Sequence, residues 1–413
     1  MIKNFFKLSG LALFSVFLLS TTILSKAMAT DDTHINKEAK TKLRIATFNV
    51  SMEAFNYAKP SLNRTPNVTG DELTQALKNN NQQIKNIAEI IQRVNPDIIL
   101  LNEFDHVDKN HENILYFLQN YLGKEQNKQT SIDYPYFYQG TVNTGVKVNT
   151  NINNDDKNNQ PTTNNLHGFG YFEGHYGMVL LSKYPINEKA IRTFQHFKWS
   201  DMPGALKPID PSTKKSWFSD DVWSKLRLSS KSHWDIPVNI NGNTVHILAS
   251  HPTPPVFDGP ENRNGKRNHD EIRFWFDYIN NTQASYIYDD NDNKGGLSPN
   301  QPFVILGDQN ASSVEGDAIN SSINALITND KLQDPMPTSL GGESHQSDNV
   351  NAQYHTAYWG MRADYVLPSV LGFTIKDSGV FWPQKNDEAF RLIKDRKASS
   401  DHRLVWVDLD LTK

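Results

Sequence analysis

From Lys42 onward the chain repeats one pattern, a short apolar run closed by a polar turn. The runs are "LRIATFNV", "PDIILLNEF", "GMVLLSKYPI", "TVHILAS", "PFVILGD", "ADYVLPS" and "HRLVWVDL". Runs this short, rich in Ile, Val and aromatic residues, are better strands than helices. In the last of them Val405, Val407, Leu409 and Leu411 alternate with Leu404, Trp406, Asp408 and Asp410, giving one apolar and one mixed face.

Helical spacing appears between the runs. In "NQQIKNIAEIIQRVNPD" Ile84, Ile87, Ala88 and Ile91 fall on one face, and Asn95-Pro96 stops the element. In "NHDEIRFWFDYI" Ile272, Trp275, Phe276 and Ile279 do the same, and the acids Asp270 and Glu271 are expected in the first turn, where the helix dipole favours them. Strands interleaved with helices imply a layered α/β or α+β domain. Two stretches read as insertions: an Asn-crowded loop near 141–165, expected to be mobile, and a segment near 198–235 that mixes Pro, Trp and charge without a period. No repeat of fixed length is present.

The first residues change the picture of where the chain works. Lys3 and Lys7 precede an apolar run from about Leu11 to Leu24, and Ala27-Met28-Ala29 follows. That order reads as a signal peptide over 1–29 with cleavage after Ala29, the alternative being an uncleaved anchor for which the run is short. The mature protein is then expected in the periplasm or secreted, with no transmembrane segment, and as a monomer. Cleavage removes Lys3, Lys7 and Lys26 and no acid, moving the formal charge from −4 to −7. An acidic chain does not attract polyanions through overall charge, so a phosphate-bearing partner must be met by a local patch or a metal ion. With no cysteine in the chain, disulfides and thiolate chemistry are excluded.

The residues at the ends of the runs carry the chemistry. "IATFNV" delivers Asn49, "IILLNE" Glu103, "HILASH" His251, and "VILGDQN" Asp308 and Asn310, all as the run closes. Asp364 and the pair Asp401-His402 instead open their runs. If the last two strands run opposite to the others, exits and entrances meet at one edge, and carboxylates, amides and imidazoles converge as a metal-assisted site requires. Each residue alone is an ordinary turn former or cap, and Asp364 could simply pair with Arg362. Six runs behaving alike in one chain weigh against that reading.

In their order, "IATFNV", "PDIILLNEFD", "GMVLLSKYPI", "LASHPTPP", "VILGDQNA", "RADYVLPS" and "SSDHRLVWVDL" resemble the endonuclease/exonuclease/phosphatase family typified by deoxyribonuclease I. The resemblance spans nearly all of a domain over 42–412. It implies a four-layer αββα sandwich of two mixed β-sheets flanked by helices, and divalent-metal-dependent hydrolysis of phosphate esters. It also implies roles. Glu103 matches the principal metal ligand, with Asn49 and Asp401 near the same ion or the scissile phosphate. Asp308 and Asn310 match the pair that aligns the attacking water and holds the phosphate. His402, paired with Asp364, and His251 match the imidazoles that contact phosphate oxygens and handle protons.

Elementary chemistry agrees. A phosphodiester repels hydroxide, so a hard cation on oxygen ligands is needed at its phosphoryl oxygens. Carboxylate and amide ligands without thiolate favour Mg2+, with Mn2+ or Ca2+ as alternatives. The substrate is a phosphate ester: nucleic acid, a phospholipid head group or a small ester. No long apolar hairpin suited to a membrane surface is evident. The segment "HPTPPVFDGPENRNGKRNHDEIRFW" after His251 could clamp a phosphate or be a solvated loop of mixed sign, and "RLSSKSHWD" is a second polar cluster that could bind phosphate or merely flank a strand. His175-Tyr176 could line the mouth, and Trp199, Trp217 and Trp223 could stack bases or anchor loops. A non-catalytic binding protein on the same scaffold is the competing class, although it would have no need of every proton-handling group.

Overall fold

The computed structural model describes residues 40–58, 67–107, 109–148 and 166–412. The signal-like segment and residues 149–165 of the Asn-rich stretch lie outside them. Eleven strands form among the described residues: β1 (Thr41–Met52), β2 (Ile98–Phe104), β3 (Tyr136–Tyr138), β4 (Met178–Ser182), β5 (Arg192–Thr193), β6 (His233–Ile240), β7 (Asn243–Ser250), β8 (Phe303–Asp308), β9 (Asp364–Pro368), β10 (Phe373–Val380) and β11 (Val405–Leu411).

They make two sheets, one in the order β10-β11-β1-β2-β4-β3 and one in the order β5-β6-β7-β8-β9. Each contains one parallel pair, β1 with β2 and β7 with β8, bordered by antiparallel neighbours. β9 and β11 therefore run against β8 and β1, so the residues that open them lie beside the residues that close the parallel strands. Asp308 is directly opposite Asp364 in the ladder.

Both faces of the second sheet are buried, in different cores. Val304, Leu306 and Val366 point into the core shared with the first sheet, whereas Phe303, Ile305, Tyr365 and Leu367 pack outward with Trp275, Tyr278 and Ile279 of a helix. A strand buried on both faces reads as a continuous apolar run, which is why these segments lack polar alternation. On the other side the helix Gln82–Val94 buries Ile84, Ile87, Ala88 and Ile91. Asn81 caps its start by accepting from the Gln83 N–H at 2.8 Å, and Asn95 ends it in the left-handed region ahead of Pro96. The result is the four-layer sandwich, helices outside two facing mixed sheets.

Three expectations change. The helix after His251 spans Arg263–Ile279 and starts five residues before the expected "NHDE" segment, so its first turn holds no acid. Asp258, outside the helix, accepts from the Asn264 N–H at 2.6 Å and serves that end instead. Residues 141–148 are not a loose loop. Asn143 is buried and bonds the carbonyls of Gln195 and Ser229, both at 2.8 Å. The 198–235 segment is also built: a short helix, Asp220–Lys225, and buried Trp199, Phe218, Val222 and Leu228 pack on the outer core.

Candidate active site

The strand ends deliver their residues to one mouth. At the exit of β1 stand Asn49, Ser51 and Glu53, and at the exit of β2 Glu103 and Asp105. The β1–β2 register shifts between Asn49 and Met52, and both Ser51 (φ 45°) and Glu103 (φ 57°) occupy the left-handed region. Such backbone is costly for residues with a Cβ, and here it turns two polar side chains out of the pleat at the same level. In β8, Gly307 (φ 135°) runs so close to β7 that a Cβ would lie 2.0 Å from the Ser250 carbonyl oxygen. That approach brings His251 beside Asp308.

Around Asp308 the groups form a closed network. His251 Nε2 lies 3.4 Å and His402 Nε2 3.5 Å from Asp308 Oδ2, which also accepts from Asn49 Nδ2 at 3.1 Å. The Asn310 and Asp308 amides bond Asp308 Oδ1 and Asn102 Oδ1, at 2.9 and 3.2 Å. His402 Nδ1 meets Asp364 Oδ2 at 2.9 Å, and Thr356 Oγ1 donates to the same oxygen at 2.7 Å. Arg362 plays no part, because Asp334 takes its guanidinium at 2.6 and 2.8 Å.

Burial alone would lower the pKa of His402. Asp364 and Asp308 outweigh it and push the value up to about 10, so the ring is a cation at neutral pH. Burial would raise Asp308, but His402 and His251 hold it well below the usual carboxylate range. His251 is lowered to about 4, by burial first and then by Lys231, and stays neutral.

The other half of the mouth has no such balance. Burial raises Glu103 to about 7, and the like charges of Glu53 and Asp401 add to the rise. Glu53 is also pushed up to about 7, chiefly by burial. Asp105 spends both oxygens on the Ala54 and Tyr176 amides, each at 2.8 Å. Glu53 accepts from the Phe55 amide at 2.7 Å and faces His175 Nε2 at 3.3 Å. Asp401 accepts from Ser51 Oγ at 3.3 Å and meets Arg396, an exposed residue, at 3.5 Å. Glu103 is the least committed of the four.

Buried and partly buried carboxylates that repel one another suit a cation, and all-oxygen donors suit a hard divalent ion. Asp308, Asp364 and His402 also present atoms within 4.8 Å of one another, a spacing a metal could bridge. Both nitrogens of His402 already face carboxylates there, so the imidazolium fills that role. The Glu103 side fits a metal better.

All eight residues read from the sequence thus stand at one mouth: Asn49, Glu103, His251, Asp308, Asn310, Asp364, Asp401 and His402. Several neighbours had gone unread. Glu53 and Asp105 lie just past Asn49 and Glu103 on the same strand exits, and that spacing was available as a signal. Thr356, which fixes Asp364, carries no signal at all. Of the tryptophans, Trp199 is only 1% exposed, with its indole N–H on Asp270 at 2.6 Å, and Trp223 packs against it. Trp199 anchors the outer core.

The stretch after His251 divides into a partly exposed loop up to Asn262 and the helix Arg263–Ile279. Its helix buries Arg267, Asn268, Asp270 and Glu271, which bind the backbone of surrounding loops.

Facing mixed sheets with a polar, acid-and-imidazole mouth at their strand ends define the class. A family model described as the endonuclease/exonuclease/phosphatase family matches residues 46–402, and the chain belongs to that family, whose members are hydrolytic phosphoesterases. No curated protein matches the sequence. Among solved structures, the chain is similar to an endonuclease/exonuclease/phosphatase from Beutenbergia cavernae (17% identity, 90% of this chain and 72% of that chain, TM-score 0.49). It is also similar to the human Nocturnin catalytic domain with bound sulfate (12%, 90% and 98%, TM-score 0.43). A third is a beta toxin mutant from Staphylococcus aureus with bound magnesium ions (14%, 90% and 100%, TM-score 0.42).

Proposed function

We propose that the protein is an exported, divalent-metal-dependent phosphoesterase that hydrolyses phosphodiester bonds, with phosphomonoesters as the alternative substrate. The observation that carries this reading is the split mouth: a protonated imidazole locked between two carboxylates beside a carboxylate group with too little positive charge. Magnesium, manganese or calcium held by Glu103, with Asn49 and Asp401 close by, would supply that charge and draw electron density from the phosphoryl oxygens.

The remaining residues do the rest. His402, kept protonated by Asp364 and Asp308, donates a hydrogen bond to a phosphoryl oxygen and stabilises charge that builds there. Asp308, anionic and fixed by Asn49 and the Asn310 amide, accepts a proton of the attacking water and orients it. Asn310, whose Nδ2 is turned to the Pro252 carbonyl at 3.2 Å, and neutral His251 flank the same phosphate.

Export rests on the N-terminal pattern, and no helix among the described residues is long and apolar enough to cross a membrane. Sequencing the exported protein from Thr30 tests the cleavage. For the reaction, bis-p-nitrophenyl phosphate is expected to be hydrolysed with added magnesium or manganese and not in chelator. Full turnover in chelator, or none with any divalent ion on any phosphate ester, overturns the reading. A panel of plasmid DNA, RNA, sphingomyelin and phosphate monoesters assigns the substrate.

A further inference from the structure

Beside Glu103 a cavity of about 760 Å3 opens, a size suited to a small organic ligand. Phe55, Phe169, Tyr176, Phe218 and Phe257 are among the residues that line it. Four cations line it, and three have a protein partner. Arg263 pairs with Glu261. Arg267 donates to the carbonyls of Leu228, His167 and Arg227. Arg396 meets Asp401.

The fourth, Lys231, is 6% exposed, and its ammonium makes no hydrogen bond or ion pair among the described residues. Glu271 acts on it through charge but cannot serve it, because its two oxygens take the Ser230 and Thr253 amides at 2.6 Å each. Lys231 and Glu103 line the same cavity. Burial lowers the pKa of the Lys231 ammonium, and the charges of Glu271, Glu103 and Asp308 oppose that shift. On the same wall the buried hydroxyl of Thr253 lacks a partner. A buried cation with three unspent N–H groups is costly unless a ligand uses it. A phosphate oxygen is the acceptor that such a site lacks.

We propose that this cavity is the subsite for the organic group of a small aromatic phosphate ester, with Lys231 and the Thr253 hydroxyl donating to its phosphate oxygens. The proposal rests on the phosphoesterase reading and narrows its substrate. Aromatic walls suit a planar group, and one free cation matches one phosphate, whereas a polynucleotide needs a track of cations along its backbone.

The test is calorimetric titration of phenylphosphonate and methylphosphonate, which bind without turning over. Phenylphosphonate is expected to bind at least about tenfold more tightly, as burial of a ring predicts. Lys231→Met is expected to cost roughly tenfold or more in phenylphosphonate affinity while its melting temperature holds or rises, and Lys231→Arg to restore part of that affinity. Phe169→Ala, at a half-exposed wall, is expected to shrink the phenyl-over-methyl ratio.

Equal affinity for the two phosphonates overturns the proposal, as does unchanged phenylphosphonate binding in folded Lys231→Met. So does a short single-stranded oligonucleotide that outcompetes phenylphosphonate. Preferential binding with no hydrolysis by any divalent ion would sink the phosphoesterase reading and leave the pocket standing. Hydrolysis with equal phosphonate binding would do the reverse.

Discussion

Asp308, Asp364, His251 and His402 on one side of the mouth are buried, and Glu53, Glu103, Asp105 and Asp401 on the other are buried or partly buried. They differ in how the charge is met. The first group contains its own cation, His402, held between Asp364 and Asp308, although His251 Nδ1 and Asp364 Oδ1 have no partner. The second has one exposed arginine at its rim, and two of its acids titrate near neutrality as a consequence. A mouth built this way is charge-balanced around Asp308 and His402 and short of positive charge around Glu103. The two halves should therefore respond in opposite directions to the same perturbation.

The largest effect is expected from breaking the balanced half. His402→Ala leaves Asp308 and Asp364 as unpaired buried carboxylates, and Asp308→Ala frees His402 from one of its two anchors. Each is expected to reduce kcat by on the order of a thousandfold, and His402→Ala also to lower stability by about 3 kcal/mol. Turnover kinetics together with denaturant unfolding check both parts. Retained turnover would remove these residues from the reaction.

Glu103→Gln is the matching change in the unbalanced half. Activity is expected to fall on the order of a hundredfold, but the melting temperature in chelator should rise, because one member of a repelling carboxylate group is gone. Added magnesium should then stabilise the variant less than the parent. A lower melting temperature in chelator would mean that Glu103 is compensated after all, and the contrast between the halves would fail.

Titration sharpens the contrast. Glu103 and Glu53 move from 4.5 to about 7 on folding, so between those values the folded chain holds protons that the unfolded chain has released. Metal-free stability should therefore fall as pH rises from about 4.5 through 7, by on the order of 3 kcal/mol for one such group. Saturating magnesium should flatten that slope, and its affinity should weaken below about pH 7, where protons compete for the same oxygens. His402, raised from 6.5 to about 10, gives stability that is complete below pH 6.5 and lost only as pH climbs through 10. Melting curves from pH 5 to 10, with and without chelator, separate the two windows.

The smallest expected effect tests the support of the balanced half. Thr356 donates to Asp364 Oδ2 and accepts from the Ala363 and Asp364 amides at 2.9 and 3.0 Å. Thr356→Val should cost roughly tenfold in kcat and about 1 kcal/mol in stability. An effect as large as that of His402→Ala would make Thr356 a primary part of the site.

The sequence carried the frame of this mouth better than its furniture. Strand ends are readable because a doubly buried strand is an unbroken apolar run, and the polar residue that stops it marks the rim. Asn49, Glu103, Asp308 and His402 all announce themselves in that way. Lys231 and Glu271 do so only weakly. The cluster "RLSSKSHWD" that holds Lys231 could equally flank a strand, and Glu271 reads as a first-turn acid; only the packing of the helix Arg263–Ile279 buries both. The acids of "NHDE" misled for the same reason, since they look like a helix start until the backbone amides they bind, from Ser230 to Leu206, are known. Periodicity reports burial of apolar surface, and a buried polar side chain that serves a distant loop leaves no trace in it.

The first half of β1 zips to β11, from Thr41 opposite Leu411 to Thr47 opposite Val405, and the ladder brings Asp401 and His402 to the exits of β1 and β2, hundreds of residues earlier in the chain. A nascent chain that has already made Glu103 and Asp308 lacks the strand that carries His402 and Asp401, so the mouth closes only when the last residues of the domain are in place.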